Sequence, residues 1–121
     1  MTMQTSATDA AGIVTMKEFE RLELKVGEIL AVQEVTGSDK LYALQVDIGG
    51  KQIQLIAGIR KQYTPKELNG KKIVVVANLA PIKIRGVESQ GMLLAAVEPG
   101  NDGKITLLTV DRDVQVGSDV A

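Results

Sequence analysis

Ser89 and the clustered carboxylates are the side chains of this sequence with the clearest capacity for chemistry. Val87-Glu88-Ser89-Gln90-Gly91 approaches the spacing of a nucleophile elbow, but Val87 stands where that motif needs glycine. The chain has no histidine, so the commonest general base is missing and nothing near Ser89 in sequence could take its proton. Glu18, Glu20 and Glu23, and separately Asp111 and Asp113, could hold a cation or act as an acid–base pair. Their alternating spacing at the edges of predicted elements is that of solvated surface. With no cysteine, thiolate metal sites, disulfides and thiol nucleophiles are excluded. No Walker or Rossmann glycine pattern occurs. The residues therefore assign no catalytic group, no metal site and no cofactor, and the chain is not expected to be an enzyme.

The cations are more informative. The formal net charge is −1, but its distribution is uneven. Up to Asp39 three basic residues face seven acidic ones, a balance of −4. From Lys40 to Arg85 nine basic residues face only Asp47 and Glu67, a balance of +7, and from Gly86 onward the balance returns to −4. A basic block between acidic flanks is the footprint expected of a polyanion-binding face. The competing interpretation is a solvated lysine-rich surface without a ligand.

These residues have to be positioned by short elements. Residues 1–14 are small and polar without periodicity and are expected to form a flexible tail, leaving 15–121 as one domain. Thr15 with Glu18 reads as a capping box opening a short helical turn that includes Phe19. Leu22, Leu24 and Val26 alternate with charged residues, Gly27 interrupts, and Ile29, Leu30 and Val32 resume, which predicts one long strand bent at the glycine. Tyr42 to Ile48 alternates as a second strand, Gly49-Gly50 supplies a two-residue turn, and Ile53, Leu55 and Ala57 return. Thr64-Pro65-Lys66-Glu67 predicts a second capped helical turn that stops at Asn69-Gly70. Ile73 to Ala77 is an apolar, β-branched strand covered on both sides. A loop from Asn78 to Gly91, strands over Met92–Val97 and Ile105–Val110, and a turn at Pro99-Gly100-Asn101-Asp102-Gly103 complete the chain. The order predicts an all-β barrel of OB type: five to six short strands, a short helix between strands 3 and 4, and a short N-terminal helical turn.

The aromatic residues are Phe19, Tyr42 and Tyr63 alone; Tyr42, by its parity, and Phe19 are expected to face the core. Bases of single-stranded nucleic acid are usually gripped by aromatic stacking. A barrel so poor in platforms is better suited to phosphate, ribose and the shape of a folded RNA.

Gly37-Ser38-Asp39-Lys40-Leu41-Tyr42, Val46-Asp47-Ile48-Gly49, Ala57-Gly58-Ile59-Arg60 with Tyr63, and Asn78-Leu79-Ala80-Pro81-Ile82-Lys83-Ile84-Arg85-Gly86 leading into Ser89-Gln90-Gly91-Met92 together resemble one family. It is the tRNA-binding OB-fold domain found at the C-terminus of methionyl-tRNA synthetases, in the endothelial-monocyte-activating-polypeptide family and as a free-standing protein. The resemblance spans roughly Phe19 to Ala121. It implies a largely sequence-independent grip on the outer corner of tRNA and dimerisation through the barrel and C-terminal segment.

On single residues the implications are as follows. Lys40 contacts phosphate or is a surface lysine. Asn78 donates to the RNA backbone or caps its own turn. Lys83 and Arg85, alternating on an extended segment, point to one side and suit phosphates, with Arg85 able to bind bidentately. Ser89 and Met92 match positions near the RNA, although Met92 could equally be core filler; Arg60 and Lys61 are weaker candidates. Ala80 stands where many relatives carry lysine. The histidine-containing nucleotide motif of a class I synthetase cannot occur, so the resemblance implies a free-standing binder in protein biosynthesis, assisting methionyl-tRNA synthetase in trans.

No apolar run approaches the ~20 residues of a membrane span, and no signal peptide is legible at the N-terminus, so a cytoplasmic protein with no membrane partner is expected. Two other functional readings stand beside tRNA binding. A peptide-binding export chaperone of the same fold would use an apolar groove between subunits of a dimer. A protein adaptor would dock a synthetase and leave RNA contact to its partner.

Overall fold

The computed structural model describes residues 12–100 and 103–121. The tail expected over 1–14 therefore lies, through residue 11, outside the described residues, as do positions 101 and 102 of the predicted turn. Ile13 and Val14 are both 66% exposed.

Three strands form an antiparallel meander: β1 (Leu24–Glu34), β2 (Tyr42–Asp47) and β3 (Gln52–Ala57). Their inward residues alternate as the sequence predicts, with Tyr42, Leu44 and Val46 of β2 and Ile53, Leu55 and Ala57 of β3 all buried. Gly27 lies beside the point where β1 passes from β4, paired over Leu24–Glu28, to β2, paired from Glu28 onward. A Cβ there would lie 2.7 Å from Val46 Cγ1 and 3.2 Å from Val75 Cγ2, so glycine lets β1 cross the core at close approach. The shift in pairing register falls later, between Ile29 and Ala31. The β2–β3 turn is made by Gly49 and Gly50 at φ +87° and +88°, with the Asp47 carboxylate accepting the Gly49 N–H at 2.8 Å.

Both capping boxes form. Helix α1 (Met16–Phe19) is capped by Thr15 and Glu18, and α2 (Pro65–Leu68), which joins β3 to β4 (Lys72–Val76), by Thr64 and Glu67. Leu68 anchors α2 in the core with no exposure. Helix α1 buries nothing. Phe19 is 41% exposed rather than in the core, because so short a helix lies outside the barrel wall.

β4 pairs with β1 on one side and with β7 (Met92–Leu93) on the other, and Ile73 to Val76 are all buried. The predicted loop over 78–91 contains a hairpin, β5 (Ile82–Ile84) and β6 (Val87–Ser89). A second hairpin, β8 (Ala95–Val97) with β9 (Ile105–Leu107), replaces the longer strands expected there. The chain ends with β10 (Asp119–Val120) against the start of β1. The main sheet runs β3-β2-β1-β4-β7. Its curl brings the outer edge of β3 to the segment between β6 and β7. The result is an all-β, OB-like barrel around Ile29, Leu44, Leu55, Ile73 and Val75, none of which is measurably exposed. Among the described residues no helix is long and apolar enough to cross a membrane.

Candidate nucleic-acid interface

In OB barrels the face of strands 2 and 3 and the loops joining strands 1–2 and 4–5 are the usual ligand-binding region. Here the first loop carries Lys40. Its shape is set by Arg60, just beyond β3: the Arg60 backbone N–H donates to the Lys40 carbonyl at 3.1 Å. The Arg60 guanidinium donates to the Ser38 carbonyl and pairs with Glu34 at 3.2 Å. The Lys40 N–H donates to Ser38 Oγ at 3.2 Å, and Lys40 is exposed.

The second loop carries Lys83 and Arg85, but not as sequence parity suggests. Lys83 lies on β5, opposite Glu88 of β6. Arg85 has left the strand: its φ is +54° and that of Gly86 is +77°, the left-handed pair of a tight two-residue hairpin turn. Both side chains are exposed, Lys83 on the hairpin's flank and Arg85 at its tip. The hairpin is fixed to the barrel by polar bonds. Gln54 Nε2 donates to the Glu88 carbonyl at 2.8 Å, and Gln45 Nε2 holds Gln54 by donating to its Oε1 at 2.9 Å. Both loops are thus anchored on β3 and its extension, the hairpin at Gln54 and Ile56 and the Lys40 loop at Arg60.

The remaining predicted residues occupy different settings. Asn78, at the end of β4, accepts the Glu23 N–H at 2.8 Å and donates to the Arg21 carbonyl at 2.7 Å. Its amide thereby ties β4 to the segment entering β1. Ser89 is 3% exposed; its Oγ accepts the Ile56 N–H and donates to the Gly91 carbonyl, both at 3.1 Å. Met92 is 58% exposed, so it is not core filler.

Ion pairing thins the basic block. Arg60 pairs with Glu34, Lys61 with Asp39 at 3.8 Å, and Lys72 with Asp113 at 2.7 Å, each partner coming from an acidic flank. Among the described residues, Lys40, Lys83 and Arg85 make no ion pair. No group of three or more possible ligand side chains is placed to hold a metal among the described residues.

Residues 24–119 match the family model described as "Putative tRNA binding domain". The chain belongs to this tRNA-binding domain family. It is 48% identical over 108 residues to the methionine–tRNA ligase of Caldanaerobacter subterraneus subsp. tengcongensis, a match that takes in 89% of this chain and 16% of the ligase. The chain thus spans about a sixth of that relative. Among solved structures it resembles a MetRS-related protein from Pyrococcus horikoshii, with a TM-score of 0.83 and 39% identity over 90% of this chain and 98% of the other. It also resembles the chaperone CsaA from Bacillus anthracis str. Ames, with a TM-score of 0.81 and 27% identity over 90% and 99%.

Sequence reading did not anticipate two parts of this tRNA-binding domain. The first is the Gln45–Gln54–Gln90 set. Gln90 N–H donates to the Gln54 carbonyl and Gln90 Oε1 accepts the Gln54 N–H, both at 2.8 Å, so a side chain stands in for a neighbouring strand. The visible signal was that Gln45 and Gln54 share the outward parity of β2 and β3. The second is an apolar groove beside β3. One concavity of about 240 Å³ is lined by Ile56, Gly58, Met92, Val97 and Ile105 among others. An adjoining one of about 330 Å³ lies among Ile56, Leu79, Ile82, Ile84 and Met92. A third, about 270 Å³, continues from Gly58 and Ile105 to Lys40 and Lys61.

Proposed function

We propose that this domain binds folded RNA, tRNA first of all, by its phosphate backbone and without catalysis, through Lys40 on one loop and Lys83 and Arg85 on the other. One observation carries the reading: three exposed cations that make no ion pair among the described residues sit on the two loops that flank the binding face of an OB-like barrel, one loop fastened to β3 and the other to Arg60 just beyond it. Family membership supports tRNA as the ligand. Arg60 contributes by shaping the Lys40 loop, Ser89 by holding the hairpin, and Asn78 by fixing the approach to β1. The kinship with methionine–tRNA ligases, and with a MetRS-related protein matched over nearly its whole length, supports action beside a methionyl-tRNA synthetase in trans, as a cytoplasmic homodimer.

A filter-binding titration of tRNA against unstructured RNA tests the proposal. Phosphate contacts by these three cations give a log–log salt slope on the order of −2.1 to −2.7. Lys83→Ala/Arg85→Ala lowers its magnitude by about 1.4–1.8. Unchanged binding by the double variant, or no tRNA binding at low salt, refutes the assignment.

A second reading, a polypeptide-binding chaperone, draws on the likeness to CsaA and on the apolar groove. Capture of an unfolded polypeptide with no affinity for tRNA would select it.

A further inference from the structure

The groove beside β3 joins the two cationic loops, and its lining narrows what it can hold. Ile56 and Met92 are common to its two apolar concavities. At one end the lining passes to Ile82 and Ile84 of the β5–β6 hairpin, where strand alternation puts Lys83 on the opposite face and leaves Arg85, at the tip, as the nearer cation; at the other it passes through Ile105 to Lys40. An apolar slot with a cation-bearing loop at each end complements a ligand that is apolar and planar in the middle and anionic on both sides. A nucleotide flipped from a folded RNA has that form, a base face between two backbone phosphates. The concavities lie near the lower end of small-molecule sites, ~300 Å³, which suits one base and not a stack.

We infer that the Ile56–Met92 groove seats a single unpaired base of the bound RNA, resting on the proposal that the flanking cations hold its backbone. The grip is aliphatic. Tyr42 is buried and donates its hydroxyl to the Tyr63 carbonyl at 2.9 Å, and the half-buried Tyr63 packs against the core with its hydroxyl accepting the Leu107 N–H at 3.1 Å, so neither ring lines the groove. The exposed Met92 thioether and Ile56 supply the contact instead, polarisable and adaptable in shape. The groove is also blind to base identity. Ser89, the hydroxyl in its lining, already donates to Gly91 and accepts from Ile56. Its one donor is spent, and at 3% exposure its remaining lone pair is not presented to a base edge.

The test is a double-mutant cycle on a tRNA titrated at fixed salt. In one set of RNAs, each unpaired loop nucleotide is made abasic in turn; in the protein, Met92 is replaced by glutamine, which keeps its length, and separately by alanine. One abasic position should weaken wild-type binding about fivefold, equivalent to about 1 kcal/mol. The same position should cost Met92→Gln and Met92→Ala less than about twofold. Changing the base identity there should alter affinity less than about twofold. If no abasic position couples to Met92 while Lys83→Ala/Arg85→Ala still lowers the salt slope by about 1.4–1.8, the base inference falls and the backbone reading stands. If neither substitution set affects RNA, both fall. If Met92→Gln loses affinity for an unfolded polypeptide but not for RNA, the groove belongs to polypeptide and the inference is overturned.

Discussion

The Arg60 backbone N–H donates to the Lys40 carbonyl at 3.1 Å, while the Arg60 side chain holds Ser38 of the same loop and Glu34 at the end of β1. A cation that the sequence offers as a ligand contact is thus an organiser of its neighbour. Arg60→Ala should remove a fork of donors that lysine cannot reproduce. We expect a three- to tenfold loss of tRNA affinity, on the order of 1 kcal/mol, with the salt slope nearly unchanged because no phosphate contact is lost. Arg60→Lys should recover little. A slope reduced by a full contact would instead make Arg60 a direct ligand.

Ser89→Ala should act through stability. Burial leaves the Ile56 N–H and the Gly91 carbonyl without their partner, at a cost of about 1–3 kcal/mol. Thermal denaturation should show the loss, and RNA affinity measured well below the midpoint should stay within about twofold. An affinity loss without a fall in Tm would contradict this role.

Arg85 combines charge with a left-handed backbone, and the two can be separated. Arg85→Gly should maintain or raise stability, by up to about 1 kcal/mol, since glycine adopts φ +54° without strain. It should still reduce the salt slope by about 0.7–0.9. Arg85→Val should lower the charge equally and destabilise the hairpin as well. Equal melting temperatures for the two variants would show that the turn is not under this constraint.

The C-terminal segment should respond to acid. The hydrogen bond from the Lys72 ammonium holds the Asp113 carboxyl below its ordinary value. A depressed carboxylate stabilises the fold above its unfolded pKa, near 4, and that contribution is lost as pH falls through the lower folded value. The Lys25 ammonium, raised by its hydrogen bond to Asp119, acts in the opposite window: its contribution is complete below the ordinary lysine value and lost as pH rises through the raised one. Melting curves from pH 7 to 3 should fall more steeply for the wild type than for Asp113→Asn. Parallel curves would remove the Lys72–Asp113 pair from the account.

What the sequence displays well is whatever it encodes within a few residues. Thr15 with Glu18 and Thr64 with Glu67 sit three apart, so both capping boxes were readable, as was the Gly49-Gly50 turn between alternating runs. The hairpin at 82–89 was not. Its turn is Arg-Gly, and a non-glycine residue at positive φ is uncommon enough that Lys83 and Arg85 read as one extended stretch. The charge count failed for another reason. Glu34, Asp39 and Asp113 lie outside the basic block in sequence, yet the fold sets them against Arg60, Lys61 and Lys72. A linear tally cannot see such neutralisation. Phe19 is apolar yet exposed, because α1 contributes nothing to the core.

No strand pairs with the outer edge of β3 among the described residues; Ser89 and Gln90 close that gap mainly with side-chain oxygens. The seam is therefore held by fewer main-chain bonds than any β-ladder of the barrel. We expect the hairpin bearing Lys83 and Arg85 to yield there first, with every β-ladder intact. Amide exchange at Gln54 and Ile56 should outpace that at Leu44 and slow when RNA is bound.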